Sequence, residues 1–412
     1  MRFYTVRDFV QFKKLHSKIL SLPAERRTPS LRKLVSCMSR PSEQGVTIMK
    51  RGNKVGFSGI TYCHSWTCPS CAPYKMNKIK CDIENAFKLM KERGYICCMM
   101  TFSIPHTRIF IKNSNNINTN MDQRREMLTL SDTLYILQRT FNKFGNSGSL
   151  KKFRGTDFQS FLIYEINWGS FNGWHPHIHA LYWLKPEQFK IFTSKEDAFN
   201  KIWTKNVKKV INEMSWWTET KRSNFINFID YLKTHKPRNS VYFSKNDSGA
   251  IREFTAENYF WSGENEVADL MLKKGRNGHL TIWQILEKAT SETSESNFYF
   301  DLYCEATEAT RGLQQHRFKR GFLAEIKNFE KGNPKETTEK KSAEPVEEII
   351  CWLSQKQWNY LRYIHHCYNL EIILSSFSLY NNAFELITEF CEAFGVGPPL
   401  KKPPFDLYHK AA

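Results

Sequence analysis

No stretch of about 18 consecutive apolar residues occurs in the chain, so a helix that crosses a membrane is not expected. The N-terminus, Met1-Arg2-Phe3-Tyr4-Thr5-Val6-Arg7-Asp8, lacks the apolar core of a secretory signal. Regular cysteine spacing is missing too: the 11 cysteines are odd in number and irregularly placed. Without an export signal this argues against a disulfide scaffold and for a reducing cytoplasm. Acidic residues are scarce, with 41 Asp plus Glu against 60 Lys plus Arg, a net charge of +19. Such an excess favours a polyanionic partner, most simply nucleic acid. Aromatics make up 14% of the 412 residues and can stack on unpaired bases, although core filling explains most of them equally well. The length suits two or three domains.

The most informative stretch is His175-Pro-His177-Ile-His179, which leads into the apolar run Ala180-Leu-Tyr-Trp-Leu184. Aromatic and aliphatic residues predict a β-strand here, and period-two alternation turns all three imidazoles to one face. A lone histidine on a strand is usually a packed or surface residue. Three on one face need a shared partner to satisfy their ring nitrogens, and imidazole is a common ligand for divalent metals. Phe161-Leu-Ile-Tyr-Glu165-Ile-Asn-Trp168 reads as a second strand, joined to the first through the turn formers Gly169-Ser-Phe-Asn-Gly173. A hairpin folded about Phe171 sets Glu165 across from His177, a donor set suited to magnesium or manganese. A slip of one residue would turn Glu165 to the other face.

Cys63-His-Ser-Trp-Thr-Cys68-Pro-Ser-Cys71 contains a Cys-x-x-Cys knuckle, with Cys37 upstream. A redox-active pair is one reading. With Cys37 and Cys63 added and no thioredoxin-like pattern nearby, the four predict a structural zinc site, His64 being an alternative fourth ligand. Five segments are expected: a basic N-terminal segment (1–35), the cysteine module (36–75), a main domain of strands and helices (76–322), a polar linker (323–348) and a helical C-terminal appendage (349–412). Within the main domain, residues 94–104 read as a buried strand, and Tyr242-Phe-Ser-Lys245 follows a break at Pro237. A basic chain with a histidine-carboxylate site suggests phosphodiester chemistry, in which the nucleophile is either a metal-bound water or a side-chain hydroxyl.

In order along the chain, the cysteine cluster, Thr101-Phe-Ser-Ile-Pro-His106, Glu165-Ile-Asn-Trp-Gly169 with Asn172-Gly-Trp-His-Pro-His-Ile-His179, and Tyr242-x-x-Lys245 resemble the motifs of the HUH endonucleases. Within that superfamily they are most similar to plasmid rolling-circle replication initiators with a cysteine-rich N-terminal segment. Glu253-Phe-Thr255, Lys274 to Trp283 and Gly312 to Gly321 extend the resemblance over roughly residues 30–322. It implies an α+β fold, a central antiparallel sheet with helices packed on it (the ferredoxin-like palm of the HUH nickases), beside a small zinc module and the C-terminal helices. It implies Mg2+ or Mn2+ on His177 and His179, with Glu165 as third ligand and His175 in support, and Zn2+ on Cys37, Cys63, Cys68 and Cys71. Tyr242 is the implied nucleophile, with Tyr231 as its competitor, and Lys245 at i+3 shares its face if the segment is helical. The implied activity is site-specific nicking and rejoining of single-stranded or hairpin origin DNA through a 5'-phosphotyrosine link, with a host helicase and polymerase as further partners. A transposase of the same chemistry is the nearest rival, ahead of a conjugative relaxase. A non-enzymatic zinc-dependent DNA-binding protein is the rival from another class, and it leaves Glu165, His177 and His179 without purpose.

Overall fold

Runs of alternating β-branched, aromatic and polar residues become the strands, and all their pairings are antiparallel. The computed structural model describes residues 3–104, 128–148, 150, 158–170, 173–235, 240–245, 248, 251–255, 278–332, 347–364 and 370–404. In chain order the strands are β1 (Phe3–Tyr4), β2 (Val46–Arg51), β3 (Lys54–Ser58), β4 (Ile96–Ser103), β5 (Gln159–Gly169), β6 (Gly173–Leu184), β7 (Val241–Phe243), β8 (His279–Thr281), β9 (His316–Phe318) and β10 (Glu348–Leu353). The chain divides into two compact units: Met1–Lys75 with Leu286–Arg311 and Glu336–Ala412, and Met76–Ile285 with Gly312–Lys335.

The second unit is built on a sheet of order β7-β4-β6-β5-β8, with β9 also paired to β5. One face carries the even-numbered residues of β4 and β6. Met100, Phe102, Ile178, Ala180 and Tyr182 pack there with Phe144, Phe199, Trp203 and Val207 of the helices Leu130–Gly145 and Glu196–Asn212. Those helices bury an apolar stripe and keep their charged residues outward, as a 3.6-residue period allows. The odd-numbered residues form the other face. There Trp183 packs edge-on against Phe87, 5.3 Å between ring centroids, and against Phe322 at 5.5 Å, while the histidines occupy the opposite end of β6. The helix Phe322–Gly332 extends into the stretch expected as linker from 323, because Phe322 and Ile326 give it a buried face.

Tyr242 lies on β7 rather than on a helix. Val241 and Phe243 are buried in the core and β-formers flank the tyrosine, so pairing with β4 prevails. Lys245 lies past the end of this strand rather than one helical turn from Tyr242, so the shared helical face expected for it is not realised.

In the first unit a sheet of order β1-β3-β2-β10 packs against the helix Val6–Ser21, where Phe57 meets Phe9 edge-on at 5.6 Å, and the helix Pro29–Val35 packs on that helix. Residues 1–35, the cysteine module and the C-terminal segment thus share one unit. The C-terminal segment does contain helices, Gln355–Ile364, Leu370–Phe377 and Ala383–Ala393, yet it enters through β10, which pairs with β2 from Glu348↔Lys50 to Leu353↔Val46. Gly45 permits this approach, since a Cβ there would stand 2.5 Å from the Leu353 carbonyl.

Arg362 and Glu371 form a buried ion pair, and Arg362 also donates to the Met38 carbonyl at 3.0 Å. Nearby, buried His16 meets the Leu34 carbonyl through Nε2 at 3.1 Å. Burial is the main cause that lowers its pKa from 6.5 to about 4; the Leu34 bond works upward and the Arg362 charge downward. Because the folded value lies below the unfolded one, neutral His16 contributes stability above about pH 6.5 that is lost as pH falls toward 4. Chemical denaturation should show His16→Gln losing roughly 2 to 3 kcal/mol of the wild type's acid sensitivity across that window. Equal acid sensitivity in the two proteins would contradict this.

Candidate metal centre

The β5–β6 hairpin pairs Glu165 with His177, Asn167 with His175 and Ile163 with His179, so the register that sets the carboxylate against the imidazoles is the one realised. Glu165 and His179 are each 2% exposed and His177 is 9% exposed. One carboxylate oxygen, Glu165 Oε2, lies 3.0 Å from His177 Nε2 and 2.9 Å from His179 Nε2. Burial pushes the Glu165 pKa up, but the charges and hydrogen bonds of His177 and His179 together bring it well below the usual carboxylate range. An octahedral ion with ligands at about 2.1 Å has cis edges of about 3.0 Å, so the two carboxylate-to-imidazole distances match edges of a Mg2+ or Mn2+ site, and all three ligand atoms lie within 4.8 Å of one another.

Two further side chains hold the triad. Thr101 Oγ1 lies 3.0 Å from His179 Nδ1, and Asn167 Nδ2 donates to Glu165 Oε1 at 2.9 Å. If Thr101 accepts from Nδ1–H, the His179 Nε2 lone pair is left for a metal. Both residues lie inside segments singled out from the sequence, but their roles were not read there. Period two on β4, which turns Thr101 to the same face as His179, is the signal that could have found them.

Thr101 pairs with His179 on one side and with Tyr242 on the other. Tyr242 therefore shares the histidine face, two strands and about 10 Å of sheet away from His179, and is 41% exposed. Lys245 lies beyond β7, with Nζ 3.5 Å from a Glu196 carboxylate oxygen. Tyr231 belongs to the helix Glu219–His235, and its side chain lies outside the described residues, as do His106, Phe171, Asn172 and residues 274–277. His175 is half-buried beside the triad, its ring centroid 5.1 Å from that of His177.

In the first unit Cys37, Cys63, Cys68 and Cys71 come together, all buried. Their sulfurs stand 3.6 Å apart for Cys37 and Cys71, 3.6 Å for Cys63 and Cys71, and 3.7 Å for Cys37 and Cys68. These are too long for a disulfide. They match the edges, about 3.8 Å, of a tetrahedron with Zn–S bonds of about 2.3 Å. His64 is exposed and contributes its backbone N–H to Cys71 Sγ at 3.3 Å, while Ser65 N–H reaches Cys63 Sγ at 3.4 Å. Interaction with Cys63 raises the Cys37 pKa and burial raises that of Cys68, so several thiolates cannot coexist here without a cation. Tyr303 Oη donates to the Thr67 carbonyl, bracing the ligand loop. Among the described residues these are the two groups that could hold a metal ion, and no helix is long and apolar enough to cross a membrane.

No protein-family model and no curated protein matches the chain. Two solved structures are similar to it. One is the N-terminal origin-recognition/nickase domain of non-structural protein 1 from human bocavirus, 10% identical with a TM-score of 0.27, covering 40% of this chain and 74% of that one. The other is the N-terminal nuclease domain of non-structural protein 1 from minute virus of mice, whose active-site pocket coordinates Zn2+. It is 13% identical with a TM-score of 0.26, covering 54% of this chain and 98% of that one. Likeness this slight carries no argument, and the reading of the site rests on the chain's own residues.

Calorimetric titration should show Thr101→Val binding Mn2+ about 10- to 100-fold more weakly than wild type, the usual effect of removing a ligand's support. Unchanged affinity would show that the hydroxyl does not orient His179. Elemental analysis should find about one zinc per wild-type chain and almost none in Cys68→Ser. A wild type purified without zinc, and failing to take it up, would contradict the tetrahedral assignment.

Proposed function

We propose that this protein is a metal-dependent DNA endonuclease and strand transferase that initiates rolling-circle replication of a plasmid or phage. The observation that carries the reading is a buried carboxylate shared by two imidazoles, on the same sheet face as an accessible tyrosine. A bound Mg2+ or Mn2+ supplies Lewis-acid polarisation of a phosphoryl oxygen, worth several kcal/mol in such reactions. Glu165, His177 and His179 would hold it, with Thr101 and Asn167 fixing their orientation.

Tyr242 would approach the phosphorus of a splayed DNA strand. Its phenolic oxygen forms the new P–O bond as its proton departs; the bond to the 3'-oxygen breaks, and that oxygen takes up a proton to become a free 3'-hydroxyl. The chain is then joined to the 5'-phosphate. Because one phosphodiester replaces another, rejoining needs no ATP, and the free 3' end can prime synthesis. Single-stranded or hairpin origin DNA suits this chemistry, since the phosphate must reach the sheet face. Lys245 would steady the phosphate after leaving Glu196, and basic residues such as Lys205 and Lys319 would follow the backbone. The four-cysteine zinc centre would be structural.

A transposase would use the same residues on a different DNA. A non-enzymatic zinc-dependent DNA-binding protein would leave the buried triad unexplained.

With Mg2+ or Mn2+, the wild type should nick single-stranded origin-containing DNA and migrate as a covalent protein–DNA adduct. Tyr242→Phe should reduce the adduct to background, and Tyr231→Phe should leave it. The reverse pattern would move the nucleophile to Tyr231. Absence of any wild-type adduct would end the covalent reading.

A further inference from the structure

Strand β7 carries Tyr242 and stands at one end of the sheet order among the described residues. Ser103 N–H donates to the Ser240 carbonyl at 2.8 Å, and Ser244 N–H donates to the Met99 carbonyl at 3.0 Å. In an antiparallel ladder, bonded and non-bonded pairs alternate, so the Phe102–Val241 pair next to Ser103 is a non-bonded one. The N–H and C=O of Val241 therefore point outward, away from β4. Val241 is 0% exposed, and backbone groups in such a place need partners.

Asn200, half-buried on the helix Glu196–Asn212, supplies both. Its Oδ1 accepts from Val241 N–H at 2.9 Å, and its Nδ2 donates to the Val241 carbonyl. Nδ2 also donates to the Glu196 carbonyl, one turn back, at 3.2 Å. These bonds assign the orientation of the amide, because a flipped one would set its oxygen against two carbonyls. A carboxamide presents a donor and an acceptor side by side, so Asn200 stands where the next strand of the sheet would. Two further contacts come from the same side of the helix. Four residues earlier a Glu196 carboxylate oxygen lies 3.5 Å from Lys245 Nζ, and three residues later Trp203 Nε1 donates to the Ser103 carbonyl at 2.8 Å. Positions i, i+4 and i+7 recur on one helical face, which here grips the chain on both sides of Tyr242. The helix packs on the core side of the sheet, while Tyr242 turns to the face of His179.

We propose that Asn200 is a positioning residue for Tyr242: its amide locks the edge strand at Val241 and so holds the phenol in line with the scissile phosphate. This rests on the nuclease reading above, with Tyr242 as nucleophile, and deepens it. A three-residue edge strand with an open outer side frays, and a displaced phenol loses the alignment that in-line displacement requires. Cleavage and rejoining pass through the same arrangement, so the clamp speeds both and leaves the balance between them alone. Aspartate at this position would keep the acceptor and lose the donor; alanine would lose both.

The test uses the full chain, saturating Mn2+ and a 3'-labelled single strand of the origin, with the covalent adduct followed in time under single-turnover conditions. Asn200→Ala should lower the rate constant for adduct formation about 10- to 100-fold, the usual cost of misplacing a reacting group. The final fraction of adduct should match the wild type, as should Mn2+ affinity by calorimetry and strand affinity by anisotropy. Asn200→Gln, which keeps donor and acceptor, should recover part of the rate, and Asn200→Asp should not. Hydrogen exchange at the Val241 amide should be roughly two- to tenfold faster in Asn200→Ala, the equivalent of one hydrogen bond. An unchanged rate constant would overturn the positioning role, and so would a smaller final fraction formed at the wild-type rate, the mark of partial unfolding alone. Unchanged exchange at Val241 would overturn the clamp itself. An adduct that survives Tyr242→Phe would leave the nuclease reading standing and sink this proposal, since Asn200 acts only through Tyr242. A wild type that forms no adduct would remove the nuclease reading and this role of Asn200 with it, while faster Val241 exchange in Asn200→Ala would keep the clamp as a feature of the fold.

Discussion

The register of the β5–β6 hairpin is the constraint on which the rest of the site depends. Pairing Glu165 with His177 puts the carboxylate and both Nε2 atoms on one face, while Ile178, Ala180 and Tyr182 fill the core on the other. A slip of one residue would drive the carboxylate into that core, where an unpaired charge costs several kcal/mol, and would expose the apolar set. The apolar residues therefore enforce the register, and the register assembles the site. Glu165 is tolerated at 2% exposure only because two imidazoles and an amide surround it.

Strand β4 transmits that order sideways. Thr101 is the cross-strand neighbour of both His179 and Tyr242, so one hydroxyl-bearing residue lies between the proposed metal ligand and the proposed nucleophile. A tyrosine on a three-residue edge strand is held by only a few backbone bonds, yet Val241 and Phe243 anchor it in the core on either side. The phenol is thus fixed in direction and left accessible. The cysteine centre follows a related principle in the first unit: as thiolates, four buried cysteines would gather more negative charge than the protein alone can stabilise, and a bound cation would resolve the conflict.

Much of this was legible in the sequence where the signal was local. Period-two alternation in His175-Pro-His-Ile-His179 and the turn formers at 169–173 sufficed for the hairpin, its register and the carboxylate partner. The four cysteines came from spacing and from the absence of a redox fold pattern. The parts that escaped depend on contacts between distant segments. Ile349-Ile350-Cys351-Trp352-Leu353 shows its strand character only through pairing with β2, some 300 residues earlier, so that stretch reads as the start of a helical appendage. The sequence leaves open whether Tyr242 stands on a helix, because its pairing with β4 is invisible locally. His279 lies in a segment the resemblance covers, yet its place beside His175 is set by pairing with distant Gly169 and is invisible locally. Arg362, reaching the Met38 carbonyl next to Cys37, is hidden for the same reason.

The central claim is that Glu165, His177 and His179 form a divalent-metal centre. Pulsed electron paramagnetic resonance of the Mn2+-loaded chain, with 15N-labelled histidine, tests it most directly. The account predicts hyperfine coupling to two imidazole nitrogens, reduced to one in His179→Ala and lost with the bound Mn2+ in Glu165→Ala. A wild-type spectrum of Mn2+ coordinated by oxygen alone, or one that these substitutions leave unaltered, would contradict it.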